Sequence, residues 1–154
     1  MTQLTRASDY AVRVIMYMAT LPQGTVVRMK TLAAEVAVPE SFLAKVLQVL
    51  TRSGFLISRR GPEGGFELPG NSLQATILDI VNAVDGPLQL NVCLSEGGNC
   101  DLKNWCPAYP IWAEAQIAML SVLSRETIGD MVRTIPSGTS PKDAPRRNSY
   151  PAAV

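Results

Sequence analysis

Residues 29–68 limit the fold of this chain more than any other stretch. Met29-Lys30-Thr31-Leu32-Ala33-Ala34-Glu35-Val36 sets Leu32, Ala33 and Val36 on one side of a short helix. Ala37-Val38 then turns into Pro39, a residue suited to the first position of a helix. The helix that follows, Glu40 to Arg52, has Phe42, Leu43, Val46, Leu47 and Leu50 as its expected buried set. Ser53-Gly54 ends it, with Gly54 fit for a left-handed cap. Two short helices about a tight turn outline a helix-turn-helix. Phe55 to Arg60 reads as a strand, Gly61-Pro62-Glu63-Gly64-Gly65 as a turn, and Phe66-Glu67-Leu68 as the returning strand. A hairpin directly after a helix-turn-helix is a wing. The expected fold is therefore mainly α with a small β-hairpin, a winged helix-turn-helix.

The flanking segments extend this plan. Thr5 to Thr20 is helical, with Ala11, Val14, Ile15 and Met18 at helix spacing, Thr5 or Ser8 as cap and Asp9 in the first turn, where a negative charge suits the dipole. Val26-Val27 fits a short strand after the Pro22-Gln23-Gly24 turn. Asn71 to Val84 reads as one helix capped by Ser72, with Ile77, Ile80, Val81 and Val84 inward, stopped by Asp85-Gly86-Pro87. Leu88 to Ala108 is a loop, Ile111 to Ser124 a long helix, and Glu126 to Arg133 a short one. The long helix carries Ile111, Trp112, Ala115, Ala118, Met119, Val122 and Leu123, a stripe wider than one small domain needs, which points to a second subunit. The expected organisation is a winged DNA-binding region at 1–86, a cysteine loop at 87–109, a dimerisation helix at 110–135 and a flexible tail at 136–154.

Composition removes several function classes. The longest uncharged run, Val14 to Val27, is 14 residues and holds Pro22 and Gly24, too short and broken to span a bilayer. Arg6, Asp9 and Arg13 precede any apolar run, unlike a signal peptide, so a cytoplasmic protein with reduced cysteines is expected. The chain has no histidine. That excludes Ser-His-Asp and Cys-His nucleophiles, zinc-protease helices and Cys/His zinc fingers, and leaves an enzyme only carboxylates, Lys, Tyr or Cys for its chemistry. Nothing resembles a nucleotide or flavin loop, and no enzyme is expected. Residues 1–70 carry 8 Lys/Arg against 5 Asp/Glu, and residues 71–136 carry 3 against 7. A basic front half suits an anionic partner.

A winged helix-turn-helix lays its second helix in the major groove and its wing on the backbone or minor groove. Glu40, Ser41, Ala44, Lys45 and Gln48 form the exposed N-terminal part of that helix. Gln48 suits adenine, Lys45 guanine or phosphate, and Glu40 cytosine. Arg59 and Arg60 flank the wing turn, where an arginine can enter a narrow minor groove. Gly64 and Gly65 allow close approach of a sugar-phosphate backbone, and Arg28 joins them as a DNA-binding candidate. The bland alternative is a hairpin with two solvated arginines.

All three cysteines, Cys93, Cys100 and Cys106, lie in the one loop, separated by six and five residues. Gly97, Gly98 and Asn99 let the loop wrap an object. Three thiolates on one short loop suit a soft metal or an iron–sulfur cluster, without the close pairing of zinc ribbons. A fourth ligand cannot be histidine. Glu96 and Asp101 lie nearby, and Asp9 lies far away in sequence.

Several stretches together carry a resemblance. They are Ser-Asp-Tyr-Ala-Val-Arg at 8–13, Arg-Arg-Gly-Pro-Glu-Gly-Gly-Phe at 59–66, Ile-Leu-Asp-Ile-Val-Asn-Ala-Val-Asp-Gly at 77–86, the cysteine loop, and Thr-Ile-Gly-Asp-Met-Val at 127–132. Over residues 1–135 the chain resembles the iron–sulfur winged-helix transcription regulators of the IscR, NsrR and RirA kind, the Rrf2 family. The resemblance implies a homodimer joined by crossing C-terminal helices, with a cluster in the loop before that helix controlling binding to double-stranded promoter DNA. Carried over by residue, Cys93, Cys100 and Cys106 are cluster ligands. IscR has a histidine three residues after the last cysteine, and that position here is Tyr109. The ligand pattern is closer to NsrR, whose fourth ligand resembles an aspartate at the start of the first helix of the other subunit; the equivalent here is Asp9. The implied function is a repressor sensing nitric oxide, redox state or iron through a four-iron four-sulfur cluster. Alternatives are an IscR-like two-iron two-sulfur regulator of cluster supply, a cluster-free thiol sensor, a winged helix used only for protein contact and, from another class, an electron-transfer protein.

Overall fold

The computed structural model describes residues 4–136, so all of the expected tail beyond Pro136 lies outside the described residues. Helix α1 (Arg6–Ala19) is capped by Thr5, whose side chain accepts from the amides of Ala7 and Ser8. It buries Ser8, Ala11, Val14, Ile15 and Met18 in one stripe. Strand β1 (Val26–Val27) follows, then α2 (Met29–Val36) and α3 (Glu40–Arg52). Ala37 closes α2 in the left-handed region, φ 54°, and Val38 returns its amide to the Ala33 carbonyl at 3.1 Å, which makes the turn tight. Pro39 stands just before α3 rather than as its first residue.

The wing is β2 (Ile57–Arg59) and β3 (Gly65–Glu67). The expected hairpin is part of a three-stranded antiparallel sheet in the order β1-β3-β2, because Val26 and Val27 pair with Glu67 and Phe66. Ile57, Ser58 and Arg59 pair with Glu67, Phe66 and Gly65. Docking β1 on β3 anchors the wing to the helix pair.

The helix expected from Asn71 to Val84 is two pieces. Gly70–Gln74 is a tight 3-10 turn, Ala75 and Thr76 are extended, and α4 (Ile77–Asp85) starts afresh. Thr76 and Asp79 form a capping box, a stronger start signal than Ser72. Ser72 is instead buried and donates its hydroxyl to the Phe55 carbonyl at 2.9 Å. Helix α5 (Tyr109–Leu123) starts two residues earlier than expected, and α6 (Ile128–Val132) closes the described chain. A second capping box, Thr127 with Asp130, starts α6. Hydrogen bonds from the Thr127 hydroxyl and amide, aided by Arg133, hold the Asp130 carboxyl below the usual range.

One core joins α1, α2, α3, the wing root, α4 and α6. Leu32, Leu43, Leu47, Leu50, Ile80 and Ile128 are fully buried in it. The chain reaches α6 by a bridge between Thr76 and Thr127, and the Ile128 amide donates to the Ala75 carbonyl at 2.7 Å. Residues 128–132 thus pack with the N-terminal head, while α5 buries no residue at all. No described helix is long and apolar enough to cross a membrane.

Candidate nucleic-acid interface and cysteine arm

Helix α3 packs Leu43, Val46, Leu47 and Leu50 inward. The face opposite must then carry Ser41, Lys45, Gln48 and Arg52, spaced i, i+4, i+7 and i+11, and all four are exposed. Arg52 is not among the residues expected to meet DNA, yet the same spacing that pairs Ser41 with Lys45 and Gln48 reaches it. Glu40 and Ala44 are exposed on the flank of that face. An open groove between α3 and the wing is lined by Ala44, Lys45, Gln48, Thr51, Arg52, Ser58 and Phe66.

Phe42, expected in the core, is 56 % exposed. It lies a quarter turn from the core face, on the flank next to α1. There its ring meets Tyr10 edge-on, centroids 6.4 Å apart at 81°. The Arg13 guanidinium lies 5.7 Å from the Tyr10 centroid.

The wing arginines divide into three kinds. Arg59 is tied across the hairpin to Glu67, with Nε and Nη2 each 2.7 Å from one carboxylate oxygen. Arg28, just before α2, donates Nη2 to the Pro62 carbonyl at 3.0 Å and to Glu63 at 3.2 Å, which braces the wing tip. Arg60 is exposed and has no hydrogen-bond or ion-pair partner among the described residues. Gly64 and Gly65 are required by the wing itself. A Cβ at Gly64 would collide with the Arg59 and Gly61 carbonyls, and one at Gly65 with the Val27 carbonyl. The glycines close the turn, through Gly64 N–H to Gly61 O at 2.9 Å, before any ligand is considered.

Asp9 lies in the first turn of α1 and is ion-paired to Arg13 at 2.6 Å, four residues on and on the same face. One turn away is a second carboxylate that sequence patterns did not single out. Asp85, the last residue of α4, accepts from the Thr5 amide at 3.0 Å, the Thr5 hydroxyl at 2.7 Å and the Ser8 hydroxyl. Burial pushes its carboxyl up, but the Ser8 and Thr5 hydrogen bonds together outweigh it and hold it below the ordinary range. The two motifs that contain Ser8 and Asp85 therefore meet, and they fasten the start of α1 to the root of the cysteine segment.

That segment is held at its root by side chains. Gln116 of α5 donates to the Leu88 carbonyl at 2.7 Å and accepts from the Leu90 amide at 2.9 Å, and Asn82 accepts from the Leu88 amide at 3.3 Å. Cys93 sits in a 3-10 turn at Val92–Leu94. Local turns hold the rest, such as Lys103 N–H to Cys100 O at 3.0 Å and Cys106 N–H to Leu102 O at 2.8 Å. Cys93, Cys100 and Cys106 are all free thiols and all partly exposed. Among the described residues no three histidine, cysteine or carboxylate side chains stand together as a metal-binding group. The three thiols are thus on one arm but not gathered around a centre. Their chemistry fits a thiophilic cluster. Tyr109, where IscR-type ligation would need histidine, opens α5 and has the Lys103 ammonium 5.2 Å from its ring centroid.

Residues 4–134 match the family model described as Rrf2, iron-dependent transcriptional regulator. Protein aau3 of Rhizobium meliloti is 33 % identical over 135 residues, covering 87 % of each chain. A Mycobacterium tuberculosis protein provisionally named an HTH-type transcriptional regulator, Rv1287, is 33 % identical over 132 residues, covering 84 % of this chain and 80 % of its own. Among solved structures, CymR, the global cysteine regulator of B. subtilis, superposes with TM-score 0.70 at 20 % identity, over 88 % of this chain and all of its own. IscR of T. potens superposes with TM-score 0.66 at 21 % identity, over 85 % and 86 %. At these identities the superpositions speak for the winged-helix fold alone.

Proposed function

The chain belongs to the Rrf2 family of transcriptional regulators, and from that membership we propose that it is a homodimeric DNA-binding repressor whose cysteine arm is its sensor. The observation that carries the DNA half is the exposed face of Ser41, Lys45, Gln48 and Arg52 beside an anchored wing that presents Arg60. Lys45 and Gln48 read base edges, Arg52 and Arg60 meet the backbone or minor groove, and Arg28 and Arg59 position the wing. Glu40 and Ser41 flank the reading face, and Gly64 and Gly65 shape the wing tip.

For the sensor half, Cys93, Cys100 and Cys106 are the residues that would hold an iron–sulfur cluster, with Asp9 of a second copy as fourth ligand. A four-iron four-sulfur cluster is favoured, and a two-iron two-sulfur cluster is the alternative. Such a group supplies iron open to nitric oxide, oxidants or iron loss. What this chain contributes is three accessible thiols on an arm fastened, through Leu88, Asn82 and Asp85, to the N-terminus of α1. Helix α1 in turn packs on the reading helix through Tyr10 and Phe42. To serve as a ligand Asp9 must leave Arg13, and that exchange ties cluster state to α1.

Native mass spectrometry of anaerobically purified protein, with its visible absorption spectrum, tests this reading. Four irons and four sulfides per subunit of a dimer are expected, with a labile cluster in Asp9→Ala. Two irons per subunit would favour the two-iron alternative. A second reading is the cluster-free thiol sensor, for which three free, partly exposed thiols supply the reactive groups. Iron-free protein that cannot be reconstituted, and whose DNA binding changes with dithiothreitol, would replace the cluster reading with this one.

A further inference from the structure

We propose that Glu63 sets the electrostatic strength of the wing by holding Arg28 back from DNA phosphates, an inference that rests on the DNA-binding reading above. The three arginines around the wing are committed to different degrees. Arg59 is fixed, since two of its nitrogens lie 2.7 Å from a Glu67 carboxylate that is only 16 % exposed. Arg60 is free among the described residues. Arg28 stands between. Its partner Glu63 is 92 % exposed at the tip of the turn, and their contact of 3.2 Å is longer than those of Arg13–Asp9, Arg59–Glu67 and Arg133–Asp130, at 2.6–2.7 Å. Exposed pairs of this kind are weak and screened by salt, so a phosphate can compete for the guanidinium.

A duplex arriving at the wing tip meets Arg28 and Glu63 together, a unit with no net charge. If Arg28 turns to a phosphate, Glu63 is left unpaired against the same backbone. Either way the site releases little of the counterion atmosphere that drives sequence-independent binding. Glu63 therefore lowers the affinity for DNA of any sequence. The base-reading side chains of α3 are then left with a larger share of the discrimination. Glu63 is a specificity-determining residue that acts by repulsion, and Arg28 is the cation it restrains.

The test uses the full chain and a labelled mixed-sequence duplex of about three helical turns, with fluorescence anisotropy over a salt series. Glu63→Gln should tighten binding several-fold at low salt and steepen the slope of log affinity against log salt by about 0.9 per wing. Glu63→Asp, which keeps the charge, should keep the wild-type slope. Arg28→Met combined with Glu63→Gln should bring the slope back to that of the wild type. A Glu63→Gln slope equal to wild type, a steeper Glu63→Asp slope, or a double variant that stays steep would each overturn the inference and leave DNA binding intact. A wild-type chain that binds no duplex, mixed-sequence or promoter, would overturn the DNA-binding reading and this inference with it.

Discussion

Helix α1, 14 residues long, buries Ser8, Ala11, Val14, Ile15 and Met18, whereas α5, one residue longer, buries none. The fully buried side chains of α1 fall on one stripe, and its charges face water. The apolar side chains of α5 lie on all sides, with Glu114 as its one charged residue, and Ile111, Trp112, Ile117 and Val122 stand in solvent. A helix apolar all round belongs inside a larger core. The head supplies its own, through α1 to α4 and the returning α6. The arm does not, and the homodimer proposed above would cover it. The contrast places a self-contained core in one region and, in the proposed homodimer, assembly in the other, with the cysteines between them.

The largest expected effect separates the two regions directly. Leu47 is fully buried in the head, so Leu47→Ala should cost about 2–5 kcal/mol in urea unfolding, at any protein concentration. Ile117 is 68 % exposed on α5. Ile117→Ala should change the stability of the dilute monomer by less than about 0.5 kcal/mol, yet weaken self-association in sedimentation. Equal costs for the two variants at monomeric concentration would break the contrast.

The clasp that joins the regions comes next in size. Asp85→Asn should cost about 1–2 kcal/mol near neutral pH, because Thr5 and Ser8 donate three hydrogen bonds to a carboxylate that the amide replaces with a weaker, neutral acceptor. The native pKa is depressed. Its stabilisation is therefore complete above the ordinary carboxylate value of about 4 and is lost as pH falls through the lower native value. Urea melts at neutral pH and at about pH 2.5 should show the wild-type advantage shrinking in acid. A constant gap would assign the effect to shape instead of charge.

How far the sequence discloses these features follows from how local their causes are. The helix pair, the Gly54 cap and the wing turn are set by neighbours within a few residues, and periodicity and turn chemistry expose them. The split of the 71–84 segment has a local cause that periodicity hides, because the capping box of Thr76 and Asp79 sits inside one continuous apolar spacing. Phe42 departs from its expected burial for a different reason. Its angle on α3 is intermediate, and whether a flank position is covered depends on Tyr10, 32 residues earlier. Arg28, Arg59, Gly64 and Gly65 were legible as wing residues, but their ties to Glu63, Glu67 and nearby carbonyls depend on strand register. The Asp85 clasp spans 77 to 80 residues, and no spacing rule reaches that far.

The smallest effect tests the arm's own attachment. Gln116 replaces a strand partner for residues 88–90, giving a donor to the Leu88 carbonyl and an acceptor to the Leu90 amide. Gln116→Met keeps length and bulk but leaves both groups to water, at about 1 kcal/mol. Cys93 lies three residues beyond Leu90, while Cys106 is fixed from the other side through its amide to Leu102 at 2.8 Å. Site-resolved alkylation should then show Cys93 reacting faster in the variant and Cys106 unchanged. Gln116→Glu, which keeps only the acceptor, should fall between. Global loosening raises all three thiol rates together, and that result would move Gln116 from the arm's attachment to general stability. A selective rise at Cys93 means that α5 positions the first thiol through two hydrogen bonds. Any movement of α5 would then reach the sensor before it reaches the head.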